Sequence, residues 1–253
     1  VGGEIVAGVL VDVLDPVVAQ VETEEQHGRG EGDGEGEEAV GAPAEDERRA
    51  VAAERWGGTL ISVDNQHRFS HCSVRDLPWG LRGYAYFVGQ YIHWALGRPK
   101  TAIVSTFCPE YLRPTADNAV LVGPVIRPAV AAVQPVDEGF VLAYARDSIR
   151  GPLLAALQRL DRRCVVYGAR PEECRGPVEA KPLSPEFVRD LARCTCVVST
   201  AGHQLISEAC CLGKPMLAVP EPGQYEQYIN AFYLEKVGAG RRCQLPALTQ
   251  QRL

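Results

Sequence analysis

Short apolar runs and amphipathic stretches alternate along the second half of the chain. From residue 139 onward this pattern predicts three buried strands with a helix in each gap between them. In chain order the predicted elements are strand 140–144, helix 149–160, strand 164–167, helix 185–194 and strand 196–199. Strands that alternate with helices are typical of a parallel, doubly wound sheet with right-handed crossovers, so we expect an α/β fold.

The first half carries a weaker pattern of the same kind. Apolar runs at 59–63, 101–107 and 119–122 predict strands, and 77–96 predicts a helix that three glycines interrupt. The glycine- and proline-rich segment that follows predicts a hinge over 123–135. We therefore expect a partial N-terminal domain over 57–122 and a C-terminal domain over 136–253.

Residues 1–56 differ from the rest in composition. Residues 1–54 hold 15 acidic and 3 basic side chains and so carry −12, while the whole chain carries −6 and the remainder therefore +6. Acidic residues and glycine dominate this segment, which predicts that it is largely disordered. The segment has neither an initiator methionine nor the features of a signal peptide, so we expect a fragment.

The segment from residue 199 to 212 places a glycine turn between a strand and a helix. Gly202 turns the chain after the apolar strand, and helix 203–212 follows with an apolar face. The start of that helix points at the carboxyl edge of a parallel sheet, where its N–H groups and positive dipole end suit a diphosphate. Glu208, one to two turns along the helix, can accept hydrogen bonds from both hydroxyls of a ribose.

A second strand and turn follow this helix. Gly213 and Pro215 end the helix, 216–219 predicts a buried strand, and a new helix begins near residue 225. Glu226, Gln227 and Asn230 lie at the start of that helix. Their carboxylate and amide groups can bond the hydroxyls of a hexose.

Together these elements resemble the C-terminal donor-binding domain of GT-B nucleotide-sugar glycosyltransferases. The resemblance extends to the bacterial and archaeal subgroup that includes the peptidoglycan N-acetylglucosaminyl transferases and to the UDP-glycosyltransferases. Its residues are Ala201-Gly202, Glu208-Ala209, Gly213, Pro215, Pro220, Glu226-Gln227, Asn230-Ala231 and Gly238 to Gly240. It implies a GT-B fold, with a Rossmann-like C-terminal donor domain on a parallel sheet and a truncated Rossmann-like N-terminal domain.

The resemblance also implies roles for individual residues. Glu208 would bind the ribose, and Glu226 and Gln227 the sugar hydroxyls. The residues expected near the phosphates are Ser148, Thr200, Ala201, Gly202, His203 and Gln204. Many relatives carry other side chains around the glycine turn, so we expect the backbone N–H groups to supply most of the phosphate contacts.

Asp64 and His67 are the candidate catalytic residues. They follow the strand at 59–63 in the sequence Asp-Asn-Gln-His, which resembles a segment in the N-terminal half of a GT-B subgroup. In α/β proteins ligand groups lie at this end of a strand. We expect His67 to act on the acceptor side as a base and Asp64 to orient its ring.

The expected function is transfer of a hexose, including an N-acetylhexosamine, from a UDP-sugar to an acceptor hydroxyl. Neither a metal nor a cofactor is expected, because the helix dipole, amides and basic side chains can stabilise the leaving diphosphate. The turn at 145–148 lacks the glycine fingerprint of nicotinamide and flavin enzymes. Two alternatives remain open: a non-hydrolysing sugar-nucleotide 2-epimerase, and an inactive remnant that only binds nucleotide sugar.

Partners and location follow from the same reasoning. We expect a nucleotide-sugar donor, an acceptor that is lipid-linked or a glycan, and no nucleic acid. Nine cysteines without CxxC pairs indicate buried thiols in a reducing cytoplasm rather than disulfides or a metal site. Aromatic residues within 77–96 and the mildly basic body suggest peripheral contact with the inner face of a membrane.

Overall fold

The computed structural model describes residues 6–10, 59–95, 99–108 and 112–248, and the chain forms two compact units, Val1–Gly123 and Pro124–Leu253. Four strands form the sheet of the first unit: β1 (Val6–Leu10), β2 (Thr59–Asp64), β3 (Thr101–Ser105) and β4 (Ala119–Val122). They are parallel and lie in chain order. The strands predicted at 59–63, 101–107 and 119–122 are thus confirmed.

The N-terminal acidic segment contributes the edge strand of this sheet. Val6–Leu10 pairs in register with β2, Val6 opposite Thr59 and Leu10 opposite Val63. Apart from these five residues, the segment predicted to be disordered lies outside the described residues.

Two helices accompany the first sheet, α1 (Arg68–His71) and α2 (Trp79–Ala95). The prediction that glycines interrupt the second helix is wrong, because α2 is continuous through Gly80, Gly83 and Gly89. Gly89 packs so closely against the backbone of Phe69 that a Cβ atom there would overlap the carbonyl oxygen. Close packing of α1 on α2 therefore offsets the low helix propensity of this glycine.

One face of α2 carries exposed aromatic side chains. Trp79 is 84% and Phe87 72% exposed, and Tyr86 and Tyr91 are exposed beside them. They are separated by seven, one and four residues, which places all four on one side of the helix. No helix in the described part of the chain combines the length and apolar character that a membrane crossing requires.

Six parallel strands form the sheet of the second unit. They are β5 (Val141–Tyr144), β6 (Cys164–Tyr167), β7 (Val178–Lys181), β8 (Cys196–Ser199), β9 (Met216–Ala218) and β10 (Gly240–Arg242). Their order across the sheet is β10-β9-β8-β5-β6-β7. This is the Rossmann order, in which winding reverses between the first strand and the fourth.

The second unit contains six α-helices in its described residues and one 3₁₀ turn, Pro171–Glu173. The helices are α3 (Pro128–Ala131), α4 (Asp147–Leu157), α5 (Glu186–Arg193), α6 (His203–Cys211), α7 (Tyr225–Lys236) and α8 (Leu245–Leu248). The predicted helices in this half correspond to α4, α5, α6 and the start of α7. The expected α/β fold with a parallel sheet is confirmed.

Two strands and two short α-helices of the second unit were not predicted. β7 and β10 carry charged side chains, VEAK and GRR, and so lack the apolar run that marks a buried strand. α3 falls inside the predicted hinge, and α8 is a single turn near the end of the chain. The core of this unit lies on β5, β6 and β8, where Leu142, Val166 and Val197 are fully buried.

Candidate functional site

The candidate functional site of the second unit lies where the winding of its sheet reverses. β5 pairs with β6 on one side and with β8 on the other, so β5 and β8 border the reversal. Ser199, the last residue of β8, donates a hydrogen bond from Oγ to the carbonyl of Tyr144, the last residue of β5, at 3.0 Å. Ligands of open α/β sheets bind at this point, outside the carboxyl ends of the strands.

Helix α6 begins at this edge. Gly202 is its N-cap, and Ile206 is the first residue whose N–H bonds back, to the Gly202 carbonyl at 3.2 Å. The N–H groups of the first helical turn therefore point out of the helix end, where the dipole favours an anion. Thr200 and Ala201 precede Gly202 at this turn, and both are buried.

The turn is held in place from helix α7. The side-chain amide of Asn230 donates to the carbonyl of Ala201 at 2.9 Å, and Asn230 is buried. Asn230 was expected to bond a hexose hydroxyl. Its side-chain amide also holds the glycine turn in front of α6.

Glu208 lies on the second turn of α6 and is 1% exposed. Arg127 binds its carboxylate with two nitrogens, Nε to Oε1 at 2.6 Å and Nη2 to Oε2 at 2.7 Å. Gln204, one turn earlier, donates to Oε1 at 2.9 Å. The hydrogen bond with Glu208 raises the pKa of Arg127 above its ordinary value. Glu208 is thus a buried carboxylate that is paired with the guanidinium of Arg127.

A second carboxylate, Glu221, joins residues that sequence reasoning assigned to different parts of the ligand. Ser148 Oγ donates to Oε1 of Glu221, and the Gln227 side chain donates to Oε2 at 2.6 Å. The side-chain oxygen of Gln227, Oε1, accepts from the Glu221 backbone N–H at 2.9 Å. Arg146 Nη1 lies 3.6 Å from Oε2 of Glu221. The structure therefore brings Ser148 and Gln227 together through Glu221.

Arg127 and Glu221 were both missing from the predicted site. Arg127 was recognised only as part of a glycine- and proline-rich hinge, 81 residues from its partner. Glu221 follows β9 between two prolines, a polar residue at the carboxyl end of a strand, and this position is the signal that could have identified it. Glu226 and His203 are half-buried at the starts of α7 and α6.

The first unit holds a separate polar cluster at the end of β2. Asp64 Oδ1 accepts the backbone N–H of His67 at 2.7 Å, and Oδ2 lies 2.7 Å from His67 Nδ1. Ser62, two residues earlier on the same strand, donates to Oδ2 and lies 3.1 Å from Nδ1. Because a carboxylate only accepts, Nδ1 carries a proton and Nε2 is the basic nitrogen of the neutral ring. Asp64 thus fixes the orientation of the His67 ring.

The ring of His67 is 1% exposed, and its Nε2 has no hydrogen-bond partner among the described residues. His71 packs against it with ring centroids 5.4 Å apart, and His93 packs on His71 at the same distance. Burial lowers the pKa of His71. An acceptor hydroxyl can reach Nε2 only if the side chains that cover His67 move.

The cysteines were the remaining candidates for chemistry. All nine cysteines are free thiols, and burial raises the pKa of Cys164 to about 11 and of Cys194 to about 12. Cys211 is exposed, which departs from the expectation of buried thiols. In the described ranges no three His, Cys, Asp or Glu side chains are grouped to hold a metal ion.

Curated proteins similar to this chain are sugar transferases. The chain is 29% identical over 196 residues to the UDP-N-acetylglucosamine--N-acetylmuramyl-(pentapeptide) pyrophosphoryl-undecaprenol N-acetylglucosamine transferase of Chelativorans sp. (strain BNC1), covering 63% of this chain and 50% of that protein. A protein of the same name from Methylobacterium radiotolerans is 33% identical over 78 residues, covering 30% and 21%. The chain thus spans about half the length, or less, of these relatives.

Solved glycosyltransferases of the GT-B type share the fold. Os79 from O. sativa superposes with a TM-score of 0.55 at 15% identity, covering 79% of this chain and 64% of that chain. LpCGTa, solved in complex with UDP, superposes at 0.53 with 18% identity, covering 81% and 62%. MurG of Acinetobacter baumannii superposes at 0.50 with 14% identity, covering 80% and 59%.

A family match covers most of the chain. Residues 47–253 match the family described as glycosyl transferase family 1. That range includes β2 with Asp64 and His67, the reversal point of the second sheet, and both carboxylate clusters. The chain therefore belongs to glycosyl transferase family 1.

Proposed function

We propose that this protein transfers a hexose from a UDP-sugar to an acceptor hydroxyl. The observation that carries the proposal is the placement of Glu208, the α6 helix start and the Glu221 cluster at the reversal point of a Rossmann-ordered sheet. The relatives are transferases, which favours this reaction over the epimerase alternative.

The donor is proposed to bind along the carboxyl edge of the second unit. Its diphosphate would face the N–H groups at the start of α6, and its ribose would bond Glu208. Its sugar would lie near Glu221 and Gln227, which follow the carboxyl end of the neighbouring strand β9. Ser148 donates to Glu221 in the unliganded protein and can turn its hydroxyl to a phosphate instead.

The chemical step is a displacement at the anomeric carbon. The acceptor oxygen forms a bond to that carbon while the bond to the diphosphate oxygen breaks, and the electron pair leaves with the diphosphate. The α6 dipole and its first N–H groups stabilise the negative charge that develops there. We assign the acceptor proton to Nε2 of His67, which Asp64 leaves as the basic nitrogen.

For the sugar and the acceptor we propose an N-acetylhexosamine and a lipid-linked hydroxyl. The names of the relatives support both, since they are N-acetylglucosamine transferases acting on an undecaprenol-linked acceptor. The exposed aromatic face of α2 supports action at a membrane surface, because tryptophan and tyrosine favour the interface between lipid and water. The cytoplasmic face of the membrane is where we place this reaction.

Calorimetric titration of the whole chain with UDP tests the donor site. We expect binding in the wild type, and Glu208→Ala should weaken it about tenfold or more, because one charged hydrogen bond is worth about 1.5–3 kcal/mol. Glu235→Ala is the matched control, because Glu235 is also a glutamate paired with an arginine, Arg242, at 3.0 Å. Glu235 lies at the end of α7, away from Glu226 and Gln227 at its start. The affinity of this variant should equal that of the wild type.

Product analysis then separates the three functions. Incubation with UDP-N-acetylglucosamine and an undecaprenol-linked acceptor should release UDP and glycosylate the lipid. An epimerised sugar nucleotide would favour the epimerase, and tight binding without turnover would favour the inactive remnant. Absence of binding by uridine, thymidine and guanosine diphosphates alike would overturn the proposal.

A further inference from the structure

We propose that Arg127 is a positioning residue that holds Glu208 so that the donor site selects ribose over 2′-deoxyribose. The inference rests on the proposed function, in which Glu208 bonds the ribose. Arg127 itself does not touch the nucleotide in this account. It acts through the carboxylate that it binds with two nitrogens.

Burial makes this carboxylate dependent on its partner. Glu208 is 1% exposed, and an unpaired carboxylate in such a position is costly. The Arg127 side chain, 31% exposed, matches the carboxylate with a planar fork that fixes its plane as well as its charge. A lysine at this position could supply the charge but not the orientation.

The segment that carries Arg127 is itself anchored. Arg127 is the N-cap of α3, and its carbonyl accepts the N–H groups of Val130 and Ala131 at 2.9 and 3.1 Å. The guanidinium therefore approaches α6 from a fixed stretch of backbone.

An inventory of acceptor sites shows where the ribose can bind. A carboxylate has about four lone-pair sites, of which Arg127 uses one on each oxygen and Gln204 a second on Oε1. One site on Oε2 remains for the first hydroxyl. The second hydroxyl can bind Oε1 only if the Gln204 side chain moves away. This movement is feasible because Gln204 is half-buried and its remaining hydrogen bond, to the carbonyl of Val125, is long at 3.3 Å.

This arrangement explains selectivity for a full diol. Ribose fills both sites of an oriented carboxylate, whereas 2′-deoxyribose leaves one buried acceptor without a donor, and an unsatisfied buried group is expensive. If the carboxylate can rotate, each nucleotide finds a compromise geometry and the difference shrinks. Arg127 should thus affect the ratio of the two affinities more than either affinity alone.

Calorimetric titration with UDP and with 2′-deoxy-UDP measures this ratio. The wild type should prefer UDP about tenfold or more, and Arg127→Lys should reduce the preference to about threefold or less. Arg242→Lys is the matched control, because Arg242 also pairs with a glutamate, at 3.0 Å, away from the proposed donor site. Its ratio should equal that of the wild type.

A second variant keeps the test open if Arg127→Lys folds poorly. Gln204→Ala removes the group that competes for Oε1 but leaves Arg127 in place, so the preference for UDP should stay the same or rise. A fall in preference in Gln204→Ala would contradict the proposed division of roles.

The outcomes separate this inference from the function on which it rests. If Arg127→Lys weakens UDP and 2′-deoxy-UDP by the same factor, Arg127 acts on the phosphates or on folding, and the positioning role is overturned. An unchanged ratio with unchanged affinities overturns it as well. If the wild type binds neither nucleotide, the donor site fails, and the role of Arg127 fails with it.

Discussion

Replacing Asp64 should destabilise the first unit, because this carboxylate satisfies three buried donors. It is 4% exposed and accepts the His67 backbone N–H at 2.7 Å, the imidazole Nδ1 at 2.7 Å and the Ser62 hydroxyl. Asp64→Ala leaves all three without this acceptor. Breaking a buried pair from one side costs about 3–5 kcal/mol, and Ser62 can still bond Nδ1, so we expect about 3 kcal/mol.

Asp64→Asn separates the charge from the shape. The amide oxygen can still accept the His67 N–H, so the loss should be smaller, about 1–2 kcal/mol. Burial raises the pKa of Asp64, but the bonds from His67 and Ser62 outweigh burial and hold it below its ordinary value of 3.8. Its contribution to stability is therefore complete above about pH 5 and is lost as the pH falls through 3.8 towards the lower folded pKa.

Tryptophan fluorescence during urea unfolding measures this loss of stability in the first unit, where Asp64 lies. All three tryptophans, residues 56, 79 and 94, fall within residues 1–123. The matched control is Asp76→Asn in the same unit, where the side chain is exposed and the change should stay within about 0.5 kcal/mol. Equal stability of Asp64→Asn and the control, or the same acid dependence in Asp64→Asn and the wild type, would refute the reasoning.

Two further substitutions test packing in each unit. Gly89→Ala should lower the free energy of unfolding of the first unit, measured by urea, because its Cβ would overlap the Phe69 carbonyl oxygen. Gly83→Ala meets open space and should raise that free energy by up to about 1 kcal/mol. Lys214→Met should lower the calorimetric unfolding temperature by removing a buried ammonium that donates to two carbonyls at 2.5 and 2.8 Å, a loss of about 2 kcal/mol. The exposed Lys236→Met should change it little. Equal effects within either pair would contradict the packing described.

The fold was predictable where local pattern and tertiary role agree. β5, β6 and β8 are continuous apolar runs because both of their faces are buried, and such runs are visible in the sequence. β7 and β10 lie at the two edges of the sheet and carry charged residues, among them Glu179, Lys181 and Arg242. These residues interrupt the apolar run by which a strand is recognised in the sequence. The sequence pattern also misjudged Gly89, because a packing contact, rather than propensity, decides its conformation.

The site was predictable only in part. Gly202 and Glu208 are six residues apart on one turn and helix, so their relation can be read from spacing alone. Arg127 meets Glu208 across 81 residues, and Ser148 meets Glu221 across 73, and no local pattern encodes contacts of that separation. The Asp64–His67 pair is local, at a separation of three, so a contact between the two side chains can be expected from spacing alone.

A crystal structure of the whole chain with UDP would test the central claim, that the reversal point of the second sheet is a donor site. The account predicts ribose hydroxyls within hydrogen-bond distance of Glu208, whose bond to Arg127 persists, and a diphosphate at the start of α6. UDP bound elsewhere, or bound with its ribose away from Glu208, would contradict it.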